Sequence, residues 1–218
     1  MNDSISRRPI QARDTRWAAS TARWLSRVGF RPNPISLLSI LFGALAGASF
    51  VAVGIVETTE LKCGCFVLAA VGIQLRLLCN LFDGMVAVEG GFRTKSGELF
   101  NELPDRFSDA FIIVGCGYSF AEPACLRELA WTAAMLAIIA AYVRTLGASM
   151  GAGQQFLGPM AKQHRMAAMT FAALANAVAV FFTSSSMILL AALTLIATGT
   201  LITIGRRCRA IIHIVEKT

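Results

Sequence analysis

The sequence predicts an all-α integral membrane protein with six transmembrane helices and an N-terminal interfacial amphipathic helix. The chain of 218 residues is 56% hydrophobic and 15% charged, with a mean hydropathy of +0.62, whereas soluble domains carry about 25% charged residues. Its apolar residues form six stretches close to the length that a bilayer requires. Lys and Arg gather at the ends of these stretches, so the net charge of +7 does not indicate nucleic-acid binding.

The first segment, residues 1–30, is a polar, basic arm without the apolar core of a signal peptide. Trp17 and Trp24 lie near one face of a helix in this arm, and several arginines lie near another. This pattern is typical of a helix that lies in the membrane interface, and we expect one over residues 17–28. The sequence Arg31-Pro-Asn-Pro should end it, because Pro and the residue before Pro disfavour a continuous helix.

A membrane domain, residues 31–205, follows, and a basic tail, residues 206–218, ends the chain. Spans are expected at about 34–53, 63–88, 97–120, 129–147, 166–183 and 187–204. Of the 20 Lys and Arg residues, only Lys62 and Arg127 fall on one side of this arrangement. The positive-inside rule therefore predicts that both termini and the polar stretch described next lie on the cytoplasmic side. We expect the protein to be integral to a cytoplasmic membrane of bacterial type.

The stretch from residue 76 to residue 109 holds six carboxylates and two Asn inside otherwise apolar segments. On the second span, Asn80 and Asp83 share a helix face with Ala87. A short polar loop, residues 89–96, then turns the chain back. The third span repeats polar residues every four positions, at Asn101, Asp105 and Asp109. Two facing helices with Asp and Asn oxygens predict a site for a hard divalent cation, Mg²⁺ or Mn²⁺.

The residues of this stretch resemble the signature of the CDP-alcohol phosphotransferase family, D-x2-D-G-x2-A-R-x8-G-x3-D-x3-D, with every spacing kept. The matching positions are Asp83, Gly84, Ala87, Gly97 and Asp105. The chain differs from the signature at Asn80, Val88 and Asn101. Six membrane helices with an interfacial helix before the first also agree with that family.

The resemblance implies a transferase of phospholipid biosynthesis, a CDP-alcohol phosphatidyltransferase. Such an enzyme moves a substituted phosphate group from a CDP-lipid, such as CDP-diacylglycerol, to a small alcohol acceptor and releases CMP. The resemblance further implies a site for two divalent metal ions at four motif positions, which are Asn80, Asp83, Asn101 and Asp105. Asp105 would also act as the general base that takes the proton of the acceptor hydroxyl.

Other roles follow from the same resemblance or from charge. Gly84, Ala87 and Gly97 would lie against the nucleotide, since a glycine lets a ligand approach the helix backbone closely. Arg144 and Lys162 could hold a phosphorylated acceptor such as glycerol 3-phosphate, although the positive-inside rule alone would also place them there. Membrane lipids surround the protein, and a homodimer is expected from the resemblance alone.

The two Asn leave alternatives open, because each removes a negative charge from a site meant for two cations. Either one metal is weak or lost, or Glu98, Glu102 or Asp109 compensates. The chain could also be a noncatalytic relative of the family. A small cation-binding transporter would place Asp and Asn in facing helices too, but it usually shows an internal repeat.

Overall fold

The computed structural model of the chain describes residues 15–92, 97–183 and 186–217, apart from the side chains of Glu89 and Glu98. Within these ranges the chain forms seven α-helices and no strand. They are α1 Arg16–Arg27, α2 Pro32–Val53, α3 Thr59–Glu89, α4 Gly97–Cys116, α5 Cys125–Ser149, α6 Lys162–Ala179 and α7 Met187–Val215. The predicted arm before residue 15 and residues 93–96 of the predicted 89–96 loop lie outside the described residues.

The helix ends follow local sequence signals. Pro32 opens α2 because its fixed φ suits the first helical turn and its missing N–H would be unpaired there. Thr58 caps α3, since its side chain accepts a hydrogen bond from the Leu61 N–H at 3.4 Å. The predicted tail from residue 206 is helical for most of its length, because α7 continues to Val215 without a break.

Four of the described helices, α2, α3, α5 and α7, are long and apolar enough to cross a membrane. This shows an all-helical protein of the membrane class, but it accounts for four of the six predicted spans. The other two expected spans correspond to α4 and α6. Both helices carry charged residues that pair inside the protein, so their composition alone does not mark them as spans.

Helix α2 packs closely against both α3 and α4. A Cβ atom added to Gly43 would lie 2.7 Å from the Ser108 Cα, and one added to Gly47 would lie 2.8 Å from the Phe111 carbonyl carbon. Small residues thus let the α2 and α4 backbones approach each other, as is common in membrane helix pairs. On the other side of the bundle, α5 packs against α4 and α7, and α6 packs against α3 and α7.

The short helix α1 lies against α3. Ala18 and Ala22 are fully buried in this contact, and the Trp17 ring meets the edge of the Phe82 ring at a centroid distance of 6.1 Å. The expected helix is therefore present, and it sits beside the part of α3 that carries Asp83. Its position in a membrane interface stays a prediction.

Candidate active site

The side chain of Asp83 is buried where α2 crosses α3, with 3% of the residue exposed. The Ser36 hydroxyl of α2 donates a hydrogen bond of 2.6 Å to Asp83 Oδ2, while Asp83 Oδ1 has no hydrogen-bond partner in the described parts of the chain. One turn earlier, Asn80 Nδ2 donates to the Arg76 carbonyl at 3.3 Å, and Asn80 Oδ1 is likewise without a partner among described residues. Buried oxygens of this kind normally have partners, so the pair marks a place for a ligand.

The chemistry of these two oxygens fits a divalent metal ion. Mg²⁺ prefers oxygen ligands and is commonly held by one or two carboxylates together with substrate phosphates and water. Within residues 15–92, 97–183 and 186–217, no group of three or more His, Cys, Asp or Glu side chains is arranged to hold a metal ion. Asp83 and Asn80 would therefore supply part of a coordination shell that substrate oxygens complete.

The carboxylate of Asp105, on α4, is paired with side-chain cations. Arg76 of α3 contacts Asp105 Oδ1 at 3.1 Å, and the Lys162 ammonium at the start of α6 contacts Asp105 Oδ2. Arg106 lies 3.8 Å from the same Oδ2. Both Asp105 oxygens therefore face positive charge in this structure, and the role of Asp105 as a metal ligand stays a prediction.

Asp109 continues the network one turn further along α4. Arg76 contacts Asp109 Oδ1 at 2.6 Å, and Arg165 of α6 contacts Asp109 Oδ2 at 2.8 Å. The Arg76 residue is 0% exposed, and the Arg165 side chain is 4% exposed. This buried cluster joins α3, α4 and α6, and it fixes the position of Asp105 along the axis of α4 relative to α3.

The chain between α5 and α6 is tied to α7, and this connection places the start of α6. Arg207 of α7 donates to the Leu157 carbonyl at 3.0 Å and to the Ala140 carbonyl at 2.6 Å. The Met160 N–H donates to the Thr203 hydroxyl at 3.0 Å. Backbone held in this way leaves the first turn of α6 little freedom, so its cationic side chains stay beside α4.

A second group of charges surrounds Glu102 on α4. Arg144 of α5 contacts Glu102 Oε2 at 2.5 Å and Arg106 contacts the same oxygen at 3.1 Å. Arg144 also lies over the Phe156 ring, 5.6 Å from its centroid. A cavity of about 470 Å³ opens here; it is lined by Leu99, Glu102, Thr145, Ala148, Ser149 and Gln154.

The structure brings some of the predicted residues together and separates others. Asn80 and Asp83 share one buried face, and Lys162 reaches Asp105. Asn101, by contrast, is exposed, and Arg144 pairs with Glu102 instead of approaching Asp105. The nucleotide-facing candidates are partly buried in the described structure; they are Gly84, Ala87 and Gly97.

Two residues of the site, Arg76 and Ser36, were not singled out from the sequence. Arg76 had a usable signal, since a lone Arg inside an apolar span one turn before Asn80 requires a buried partner. Arg165 was expected in a cationic group near the site that could hold the acceptor, and the structure pairs it with Asp109. Ser36 had no signal, because a Ser in an apolar helix commonly bonds its own backbone.

Comparisons with known proteins support the fold. No protein-family model and no curated protein matches the sequence. The chain does match the crystal structure of Mycobacterium tuberculosis phosphatidylinositol phosphate synthase with CDP-DAG bound, with a TM-score of 0.72 and 20% identity over 90% of this chain and 94% of that chain. The same synthase in complex with manganese and citrate gives a TM-score of 0.70 and 20% identity over 89% and 88% of the two chains. Its apo form gives 0.66 and 19% over 88% and 94%.

These matches show that the chain shares the fold of this synthase over most of its length.

Proposed function

We propose that the protein is a CDP-alcohol phosphatidyltransferase that transfers the phosphatidyl group of a CDP-lipid to an alcohol and releases CMP. The observation that carries this proposal is the pair of unpartnered buried oxygens on Asn80 and Asp83. They lie at motif positions, in a fold similar to that of a synthase whose structure contains CDP-DAG. A manganese complex of the same synthase further supports the use of a divalent metal.

In the proposed site, Asp83 and Asn80 hold Mg²⁺ or Mn²⁺. When bound there, the metal supplies charge neutralisation for the donor pyrophosphate, which makes CMP a better leaving group. Gly84, Ala87 and Gly97 give the nucleotide room along the helix backbones. The hydrogen bond from Ser36 engages Asp83 Oδ2 and leaves Oδ1 open for the metal among the described residues.

Asp105 is the proposed general base for the acceptor hydroxyl, which attacks the β-phosphorus as its proton is removed. Its Oδ2 is paired with Lys162, so this oxygen can accept a proton only after the ammonium has moved. A phosphorylated acceptor such as glycerol 3-phosphate would compete for Lys162, because a phosphate dianion attracts a cation more strongly than a single carboxylate does. Acceptor binding would thereby release the base.

Arg144 is the second proposed acceptor ligand. It pairs with Glu102, which lines a cavity where a small polar alcohol would fit. In the proposed arrangement of six spans this site lies on the cytoplasmic side, and the basic ends of the helices support that orientation. A homodimer is also proposed, on the resemblance alone.

The test is CMP release by the purified full-length protein in detergent or nanodiscs with CDP-diacylglycerol. Glycerol 3-phosphate would be compared with unphosphorylated glycerol, each with Mg²⁺, with Mn²⁺ and with excess chelator. We expect metal-dependent release that is faster with the phosphorylated acceptor and is abolished in Asp83→Ala. Undiminished release in excess chelator, or no release with any acceptor and metal, contradicts the proposal.

A further inference from the structure

The charges at the motif positions are too few for two divalent metal ions. Asn80 and Asn101 are neutral, so Asp83 and Asp105 are the two motif carboxylates that remain. Two divalent cations would bring four positive charges to these two negative ones. The donor pyrophosphate adds negative charge, but it does not restore the anionic side-chain ligands that the two Asn replace.

The two carboxylates have opposite surroundings. Asp105 faces Arg76 on one oxygen and Lys162 on the other. Asp83 takes one hydrogen bond from the neutral hydroxyl of Ser36, and the described side chains include no Lys or Arg within ion-pair distance of it. One carboxylate is therefore neutralised by the protein, and the other has an open oxygen for a metal.

Arg76 cannot leave Asp105 for solvent. It is fully buried, and its Nη2 also contacts Asp109 Oδ1 at 2.6 Å and the Asp105 carbonyl at 3.4 Å. A buried guanidinium keeps its charge, and removing it from its carboxylates would leave an unpaired charge in the protein interior, which is strongly unfavourable. The positive charge beside Asp105 is thus a permanent part of the fold.

We propose that the site binds a single divalent cation, at Asp83 and Asn80, and that Arg76 and Lys162 occupy the place of a second cation at Asp105. This inference rests on the proposed function for the reaction that the metal serves. It explains why Asn can replace Asp at positions 80 and 101, because a site that already contains two side-chain cations binds fewer metal ions and needs fewer anionic ligands. It also separates two tasks, since the metal neutralises the donor, while Arg76 stays at Asp105 and Lys162 can turn to the acceptor phosphate.

The number of bound Mn²⁺ ions tests the proposal directly. The purified full-length protein would be dialysed to equilibrium against Mn²⁺, the bound metal would be counted, and pulsed EPR would be used to detect coupling between two Mn²⁺ ions. We expect one Mn²⁺ per chain, no Mn–Mn coupling, and loss of the bound ion in Asp83→Asn. Two bound ions with coupling would overturn the proposal, and so would no bound ion.

A matched pair of double variants tests the role of Lys162. Asn101→Asp with Lys162→Met adds a carboxylate one turn from Asp105 and removes the cation from Asp105 Oδ2, so a second Mn²⁺ should bind. Asn101→Asp with Arg144→Met makes the same change in charge, but Arg144 pairs with Glu102, so the count should stay at one. A first variant that still binds one ion, or a control that binds two, would overturn the role given to Lys162.

The metal count does not depend on turnover, so the two proposals can fail separately. One bound Mn²⁺ in a protein that releases no CMP would contradict the proposed function and leave this inference standing. CMP release by a protein with two coupled Mn²⁺ ions would do the reverse.

Discussion

Ser36 sets the orientation of the Asp83 carboxylate at the proposed metal site. Its hydroxyl occupies Asp83 Oδ2 and leaves Oδ1 open, so the hydrogen bond acts on the orientation of the carboxylate and not on the substrate. Groups that orient a metal ligand in this way typically change metal affinity or activity by about 10- to 100-fold when they are removed. We therefore expect the loss of this buried hydroxyl to weaken metal binding at the proposed site.

We expect Ser36→Ala to weaken Mn²⁺ binding by about 10- to 100-fold, and Ser36→Thr to retain most of it because the hydroxyl is kept. Ser39→Ala is the matched control, since Ser39 donates to a carbonyl of its own helix. Mn²⁺ titration of the three variants measures the effect. Equal affinities in Ser36→Ala and Ser39→Ala would show that Ser36 does not position Asp83.

Asp105 gives a second prediction at this scale. If it is the base, Asp105→Asn should lower CMP release by about 10² to 10⁴-fold, because a positioned proton acceptor contributes that much to the rate. The proposed single cation at Asp83 predicts an unchanged Mn²⁺ count in the same variant. Retained turnover would remove the base assignment, whereas loss of Mn²⁺ would make Asp105 a ligand.

Close contact between α2 and α4 is the main feature at the scale of helices. A side chain at Gly47 would overlap the Phe111 backbone, so Gly47→Ala should force the two helices apart. We expect a destabilisation of about 1 to 3 kcal/mol, as is usual for overpacking. Gly64→Ala in α3 is the control, because an added Cβ there meets nothing within 4 Å. Thermal unfolding in detergent compares them; equal midpoints would contradict the close contact.

The charge network between α3, α4 and α6 predicts that one substitution destabilises the protein and that a second, compensating substitution restores part of the stability. Asp109→Asn removes the carboxylate that Arg76 and Arg165 share. Breaking a buried ion pair typically lowers the free energy of unfolding by about 3 to 5 kcal/mol. Adding Arg165→Met should recover part of the loss, since one cation is removed together with the anion. Urea or thermal unfolding would measure both variants. A double variant less stable than Asp109→Asn would show that charge balance is not what the network provides.

At the scale of the whole molecule, the distribution of Lys and Arg predicts how the chain is arranged in the membrane. Six spans place both termini and the Asp105 end of α4 on the cytoplasmic side. Reporter fusions after residue 92 and after residue 217 should therefore be active in the cytoplasm. Fusions in the turns near Glu57 and Glu122 should report the other side. A cytoplasmic signal from either of these turns would contradict the six-span arrangement.

The sequence allowed the helices and the shared face of Asn80 and Asp83 to be predicted, because both depend on local spacing, whereas metal binding at that face stays a prediction. The seven observed helices lie close to the expected ones, and Asn80 and Asp83 follow from one helix period. The partners of Asp105 could not be predicted in the same way. Asp105 is contacted by Arg76 of α3 and Lys162 of α6, and the adjacent Asp109 is contacted by Arg165 of α6. Such contacts depend on how the helices pack, which residue spacing does not encode.

The fully buried Arg76 also has a consequence for biogenesis. A lone Arg at the centre of a helix opposes insertion by the translocon by about 2.5 to 3.5 kcal/mol. Its anionic partners, Asp105 and Asp109, arrive only with the next helix, which begins within ten residues of the end of α3. The two segments would therefore enter the lipid most easily as a hairpin, with their charges already matched. The two helices that carry the proposed catalytic motif would therefore pair with each other while the nascent chain is being inserted.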